Sequence, residues 1–553
     1  MTSSVSGNSI ASALLGTGSG GSLPLNVSPA VTQNYYAWFF QDSWRVNKRL
    51  TLNLGLRYEL QRPRSERFDR GNYFDFEVSN PLGQRVGLPL KGGLVFITPE
   101  DRYANRSSYT DLAPRFGFAY KVTDRLVLRG GYGIMFGRTY NLTFPLGVDG
   151  YSTSTSWVYS VGNAGILPQD RVSNPYPNGL VQPSGSADGL QTLVGNAVNA
   201  LPRPNPSPYI QNYSFDVQHQ IGANAMFEIG YSGNIGKRLI YGDTRDANQL
   251  NPSLLALGSE LDRQVANPFF GVIPSGPLAS RTIPRQRLLR ARPQFSEVLI
   301  VNNEKGAYSR FDSLFTRFQF RLGRDLTLIS SYQFSRMLDN ASSNGGPEGG
   351  GTSLRNYFDP AIEYGTSGLD VPHSFVTQGI YHLPVGRDKA LGSTWPRLLD
   401  TAFGGWQLSA VFRLSSGLPL DMTAQNTLSP YGFHVLRPNY KNLSDLEIDN
   451  PTPDRWFNTA AVIQPSQYSI GTGPRFLSNI RQSGPKHVHQ GVFKNFQITE
   501  QIKAQFRAEM FNLTNTPRFA APNANLGSTT FGQVTATAFS TPRQVQLGLK
   551  LTF

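Results

Sequence analysis

The side chains best equipped for chemistry are few and scattered. "KHVHQ" sets His487 and His489 two residues apart, which on an extended segment puts both imidazoles on one face, within reach of a shared divalent cation. No third ligand is in sight in the sequence, so two histidines on a wet strand face is the favoured reading. "GTGSGG" satisfies G-x-G-x-x-G at Gly16, Gly18 and Gly21, yet a pyrophosphate cradle needs a strand before the glycines and a helix after them. No strand is expected there. "GNIGKR" ends like a phosphate loop, but Tyr231 occupies the first required glycine position and Arg238 replaces the hydroxyl residue. "NASSNGGPEGGG" carries oxygen donors without the ordered acidic spacing of a calcium loop. There is no cysteine, which excludes thiolate nucleophiles, disulfides and Cys-based metal sites. No G-x-S-x-G elbow is present either. The chain reads as a non-enzyme with no metal site and no cofactor.

Positive charge is the other chemical signal. With 51 basic and 37 acidic residues the formal net charge is +14, which raises phosphate-rich partners. Most basic residues, however, sit singly inside alternating segments such as "LNLGLRYEL" and "LVLRGGYG", so no nucleic-acid partner is expected. The densest run, "RTIPRQRLLRAR", holds Arg281, Arg285, Arg287, Arg290 and Arg292 with no acid among them. It reads as a solvated loop or strand end, or more sharply as a contact for a polyanion such as lipopolysaccharide.

The elements that must position these residues are strands. In the closing "RQVQLGLKLTF", Val545, Leu547, Leu549, Leu551 and Phe553 alternate with Gln544, Gln546, Gly548, Lys550 and Thr552. That is the period of a strand with one apolar and one polar face. "LTLNLGLRYEL" and "IKAQFRAEM" repeat it. Aromatic residues make up 12% of the chain and charged residues 16%, against about 25% charged in soluble domains, a balance suited to facing both water and lipid. No run of about 18 apolar residues exists, so a membrane-spanning helix is excluded. The opening "MTSSVSGNSIASALLGTGSGG" lacks the basic start and apolar stretch of a secretory signal.

Short polar turns join the strands in pairs: Asn47 to Arg49, Thr123 to Arg125, Gly222 to Asn224, Gly323 to Asp325 and Thr499 to Gln501. Between pairs lie long stretches rich in Gly, Pro, Ser and Asn, roughly 62 to 111, 137 to 211, 241 to 307, 337 to 372, 423 to 486 and 516 to 542. Their composition reads as turn chemistry rather than packed elements. Short turns alternating with long loops is the pattern of an outer-membrane barrel, and about 13 strands can be assigned. The expected fold is all-β, an antiparallel up-and-down transmembrane β-barrel. With short turns periplasmic, both the first and last strands run inward. The odd count then implies that the chain begins in an extracellular loop with upstream strands absent. "PVGRDKALGSTWPRLLDTAFGG" is too long for its place as a short turn; either a small helix sits there or the phase slips, with the helix favoured. "NYYAWFFQDSW" crowds Tyr35, Tyr36, Trp38, Phe40 and Trp44 together, expected as membrane-interface aromatics.

Several of these segments resemble a known family. "FFQDSWRVNKRLTLNLGLRYE", "APRFGFAYKVTDRLVLRGGYGIMF", "NYSFDVQHQIGANAMFEIGYSGNIGKRL", "GGWQLSAVFRLSSGLPL" and "FRAEMFNLTNTPRF" resemble the β-barrel of TonB-dependent outer-membrane receptors, in particular Oar-like transporters. The resemblance covers most of the chain from Tyr35 onward. It implies a barrel of about 22 strands when complete, a plug domain, a TonB partner, and a home in the outer membrane of a Gram-negative bacterium. Residues 1–33 would be an extracellular loop remnant and 34–553 the C-terminal part of the barrel. Arg57, Arg129, Arg317 and Arg507 are expected to line the lumen, and the apolar set to meet lipid and lipopolysaccharide. Leu547, Leu549, Leu551 and Phe553 resemble the C-terminal signal read by the barrel-assembly machinery. The implied function is transport of a bulky ligand, inactive without plug and upstream strands. The alternatives are a passive porin-like channel and a soluble secreted carbohydrate-binding β-protein. The segment alone is expected to form an open sheet or a strained smaller closure, with poorly ordered long loops.

Overall fold

A computed structural model describes residues 8–18, 20–137, 147–163, 167–241, 244–274, 276–301, 305–341, 354–387, 389–499, 501–538 and 542–553. Most of "NASSNGGPEGGG", the calcium-loop candidate, lies outside the described residues, as do the first seven residues and Ser19.

Thirteen strands form one antiparallel wall in sequence order. They are β1 (Tyr35–Arg45), β2 (Leu50–Gln61), β3 (Leu112–Lys121), β4 (Leu126–Phe136), β5 (Tyr209–Ile221), β6 (Ala225–Ile240), β7 (Lys305–Leu322), β8 (Leu326–Asp339), β9 (His373–His382), β10 (Trp406–Ser415), β11 (Lys486–Gln497), β12 (Lys503–Phe511) and β13 (Gln544–Thr552). A short strand, Gly365–Thr366, pairs with β8 off this path and makes the sheet 14-stranded. Each alternating segment read from the sequence falls in one of the thirteen. Among the described residues β1 and β13 do not pair with each other, so the wall is open. No described helix is long and apolar enough to cross a membrane; the spanning elements are strands.

Every short turn lies between paired neighbours. At Asn47 the side chain accepts from the N–H groups of Arg49 and Leu50 at 2.7 and 2.9 Å, and the Thr123 hydroxyl does the same for Arg125 and Leu126. Such Asx and ST turns reverse the chain without spending a ladder hydrogen bond. Gly222 and Gly323 supply positive φ angles of 63° and 53° at two other turns, where a Cβ would be strained. The overlong turn between β9 and β10 contains a helix, Arg397–Phe403, so the strand phase holds.

The long connections depart from expectation. They are packed, and they hold nearly all of the buried core. Among the described residues only Ala113, Ala307 and Ala504 are buried hydrophobic residues within wall strands. One cluster joins Phe74 and Leu94 from the 62–111 connection to Val198 and Ala200 from 137–208, and to Phe295, Val298 and Ile300 from 241–304. A second joins Leu250, Leu255 and Leu261 to Leu428, Phe433 and Leu436. A third gathers Leu420, Met422, Leu446, Phe457 and Leu477 under Leu526 and Phe531. The polar, turn-rich composition is real, but each loop contributes a few large apolar residues. None can bury them alone, so the loops bury them against one another.

Candidate functional site

Register decides which side chains share a face, because directly opposed residues in an antiparallel pair project together. Arg57 lies opposite Ala113, and Gly55 opposite Arg115; Arg115 lies opposite Gly133, in the row that holds Arg129. Arg129 faces Asp216, Gln218 faces Glu228, and Glu228 faces Arg317. The row continues through Ser331, Val376 and Arg413 to His487, then through Phe493 to Arg507 and Gly548. Arg57, Arg129, Arg317 and Arg507, read separately from the sequence, therefore occupy one continuous face. The opposite face is apolar over the same span: Leu54, Phe116, Tyr132, Tyr213, Leu314, Phe334, Phe375, Leu414, Phe506 and Leu549 belong to it. Many of its members are exposed, including Phe116, Tyr132, Leu314 and Phe334, as a surface bathed in hydrocarbon requires.

The five aromatics expected at the membrane interface divide between these faces, and Phe39, opposite Arg57, lies on the polar side. Tyr36, Trp38, Phe40 and Trp44 lie opposite Leu60, Tyr58, Leu56 and Leu52 on the apolar side. Trp38 stacks on Tyr58 with ring centroids 5.9 Å apart. Tyr36 and Trp38 sit towards the loop end and Trp44 towards the turn end. Tyr35 belongs to the other face: its hydroxyl donates to Glu59 at 2.9 Å and accepts from Arg57 at 2.8 Å, while Arg57 pairs with Glu59 at 2.8 Å. Period-two parity separates Tyr35 from its neighbour Tyr36, a distinction the crowded "NYYAWFF" conceals.

His487 and His489 do share the polar face, stacked with centroids 5.9 Å apart. The Nδ1 atom of His489 accepts the Asn512 backbone N–H at 3.1 Å. Among the described residues no group of three metal-ligating side chains exists. "GTGSGG" follows a helix, Ser9–Leu14, and precedes a strand, Ser22–Asn26, the reverse of a dinucleotide cradle. "GNIGKR" lies inside β6. On β13, Leu547, Leu549 and Leu551 face Ala508, Phe506 and Ala504, and Phe553 just beyond it is 94% exposed.

The basic run is solvated only in part: Arg281 is exposed, whereas Arg285, Arg287 and Arg292 are half-buried. Arg290 is buried, donating to the Ser296 and Pro430 carbonyls at 3.0 and 2.6 Å. Asp246 lies 4.0 Å away. Burial, with Arg287 close by, pushes the Arg290 guanidinium down to about 10. Arg292 donates to the Phe76 carbonyl and stacks over its ring, and Arg285 pairs with Glu260. These arginines hold loops together. Sequence reasoning missed this because their partners are largely backbone carbonyls, of Ser296 nearby and of Phe76 and Pro430 far along the chain; the signal present was the apolar interleaving by Ile283, Leu288 and Leu289.

The same logic ties the loop layer to the wall. Arg475 pairs with Asp339 at the end of β8, Arg481 with Asp370 at 2.7 Å, and Asp370 accepts the Met337 N–H of β8 at 2.7 Å. Glu363 serves both Arg355 at 3.2 Å and Arg437 at 3.9 Å, all three buried. A cleft of about 710 Å³ opens within the layer, lined by Gln425, Asn426, His434, Asn525 and Ser528 among others.

A sequential antiparallel wall with one lipid-suited face, one charged face and long connections gathered at one end defines an outer-membrane β-barrel protein. The chain belongs to the outer membrane beta barrel domain family, whose model matches residues 1–546. Its place is the outer membrane, which sets aside the soluble, secreted alternative. No curated protein sequence matches it. Among solved structures it is similar to the ferripyoverdine receptor of Pseudomonas aeruginosa, at 10% identity and TM-score 0.36 over 95% of this chain and 39% of that one. The ferric preacinetobactin receptor of Acinetobacter baumannii gives 10% and 0.38, over 95% and 43%. The ferric-catecholate import receptor of E. coli K12 gives 9% and 0.39, over 94% and 45%. The chain spans less than half the length of each of these structures.

Proposed function

We propose that this chain is part of the wall of a TonB-dependent, Oar-like transporter that moves a bulky ligand across the outer membrane. The observation that carries the reading is the single face that holds the row of Arg57, Arg129, Arg317 and Arg507, with a largely apolar surface behind it. Such a row suits a water-filled lumen. Two unpaired edges, β1 and β13, are where further strands would complete the wall, and a plug and TonB would supply gating and energy. The loop layer would lie outside the cell, where its cleft offers amide and imidazole groups to a ligand. Leu547, Leu549, Leu551 and Phe553 fit the role of assembly signal. The reading assigns no catalytic step.

The absence of native cysteine makes the test clean. Single cysteines at Arg129 or Arg507 should react with a membrane-impermeant, water-soluble maleimide in outer membranes permeabilised to it, whereas cysteines at Leu314 or Phe506 should be protected by lipid. Equal labelling of both pairs would sink the assignment of faces. A plug-encoding segment in frame upstream, with ligand uptake that stops when the proton-motive force is collapsed, supports the energised transporter. Ungated conductance without such a segment would favour a passive channel instead.

A further inference from the structure

The outward apolar face does not end evenly, and its loop-side margin over β6, β7 and β8 carries charge. On β7 the outward row reads Leu322, Phe320, Phe318, Thr316, Leu314, then Asp312, Arg310 and Tyr308. Leu314 to Leu322 spans about 27 Å along the strand at roughly 3.4 Å per residue. With a tilt of roughly 40° this is about 20 Å of membrane normal, close to a whole hydrocarbon band. Arg310 and Asp312 therefore stand where lipid headgroups begin. Asp312 lies opposite Arg336, and Arg310 opposite Ile235, one outward step below Lys237. Lys237, Arg310 and Arg336 are all exposed, on three adjacent strands about 5 Å apart.

Among the described residues the patch holds one carboxylate, and it is already engaged. Asp312 accepts from the hydroxyls of Tyr213 and Tyr231 at 2.8 and 2.5 Å and pairs with Arg310 at 2.7 Å. Among the described residues neither Lys237 nor Arg336 has an ion-pair partner. Tyr308 and Tyr364 lie beside them, their rings tilted at 50° with centroids 5.5 Å apart. This is a net-positive cluster on the lipid side, above a tyrosine belt.

We propose that Lys237, Arg310 and Arg336 form a binding site for the phosphates of lipopolysaccharide in the outer leaflet. The proposal rests on the reading of the apolar face as lipid-facing. Guanidinium groups suit a phosphate because they offer paired donors in its plane, and a lysine adds a point charge. Tyrosines at the belt pack against sugar and acyl boundary. A soluble anion would gain nothing from the hydrocarbon-facing placement, whereas a headgroup anchored by its own acyl chains arrives at this height.

The test uses the full chain in detergent, mixed with phosphatidylcholine vesicles with or without lipopolysaccharide, and measures lipid A retained per protein. The wild type should retain lipopolysaccharide at least about tenfold more than Arg310→Glu/Arg336→Glu, because two cations near an anionic surface are reversed. It should also prefer it over lipopolysaccharide stripped of its lipid A phosphates. Arg129→Glu, a charge change on the polar face, should leave retention unchanged. Far-ultraviolet circular dichroism checks the fold, and Lys237→Gln/Arg336→Gln repeats the comparison with a milder change. Equal retention by the charge-reversal variant, no preference for the phosphorylated form, or full displacement by millimolar inorganic phosphate would each overturn the site. Failure of the wild type to enter even pure phosphatidylcholine vesicles would overturn the lipid-facing reading itself, so the two failures are distinguishable.

Discussion

Phe295→Ala should melt the loop layer and leave the wall intact. Phe295 is fully buried and meets Phe74 edge-on, with centroids 5.7 Å apart and an interplanar angle of 68°. It sits where three separate connections converge, beside Leu94, Val198 and Val298. Truncating a buried phenylalanine costs about 3–5 kcal/mol, from lost transfer energy and the cavity left behind. At about 1.4 kcal/mol per decade, local opening of this cluster becomes roughly two to nearly four decades more frequent. Hydrogen exchange reads this directly. The informative amides are Ala200, bonded to the Leu299 carbonyl at 2.7 Å, and Ala247, bonded to Val298 at 2.8 Å. Both should exchange far faster in the variant, while amides in the β6–β7 ladder keep their rates. Unchanged exchange at Ala200 and Ala247 would refute a packed layer; equal acceleration in the wall would refute its independence from the strands.

Three further outcomes follow from the same geometry. Glu363→Gln leaves Arg355 and Arg437 buried without their shared carboxylate, and should cost the loop layer about 3–5 kcal/mol, read as a lower denaturant midpoint for the fluorescence of Trp456, which packs in the third cluster. Burial disfavours the Glu66 carboxylate, but the backbone N–H groups of Arg70, Ala30 and Phe68 outweigh it and hold the group below the usual carboxylate range. Its stabilisation is therefore full above the unfolded value of about 4.3 and lost as pH falls through the lower folded value. Protection of the Arg67 amide, bonded to Ala30 at 2.8 Å, should decline over that acid range in the wild type and show no such step in Glu66→Gln. Gly471 has φ +70°, and a Cβ there would meet the Arg437 carbonyl oxygen, so Gly471→Ala should lower loop-layer stability by more than the roughly 1 kcal/mol of an ordinary glycine substitution; a change within error in urea unfolding would count against the tight crossing.

The wall was legible because a membrane imposes a rule on each residue separately. Every second side chain on β2, β12 or β13 answers to lipid and the rest to water, so thirteen strands, their polar turns and the common face of Arg57, Arg129, Arg317 and Arg507 could be read locally. Legibility stops where that rule stops. Above Leu314 the outward row turns to Asp312 and Arg310 and alternation vanishes, although pairing persists to Ile240 on β6 and back to Lys305 on β7. The loops obey no period at all. Phe74, Leu94 and Phe295 become a core only when segments some 200 residues apart meet, as in the Arg292 to Phe76 hydrogen bond at a separation of 216. The clusters link the connections from 62–111 through 516–538 in series, and ion pairs at Asp339 and Asp370 anchor them to β8. Asn426 donates to the Phe433 carbonyl at 2.8 Å and Asn525 adjoins Leu526 of the third cluster, so a ligand held in the cleft, as proposed above, would act on the packed layer rather than on one isolated loop.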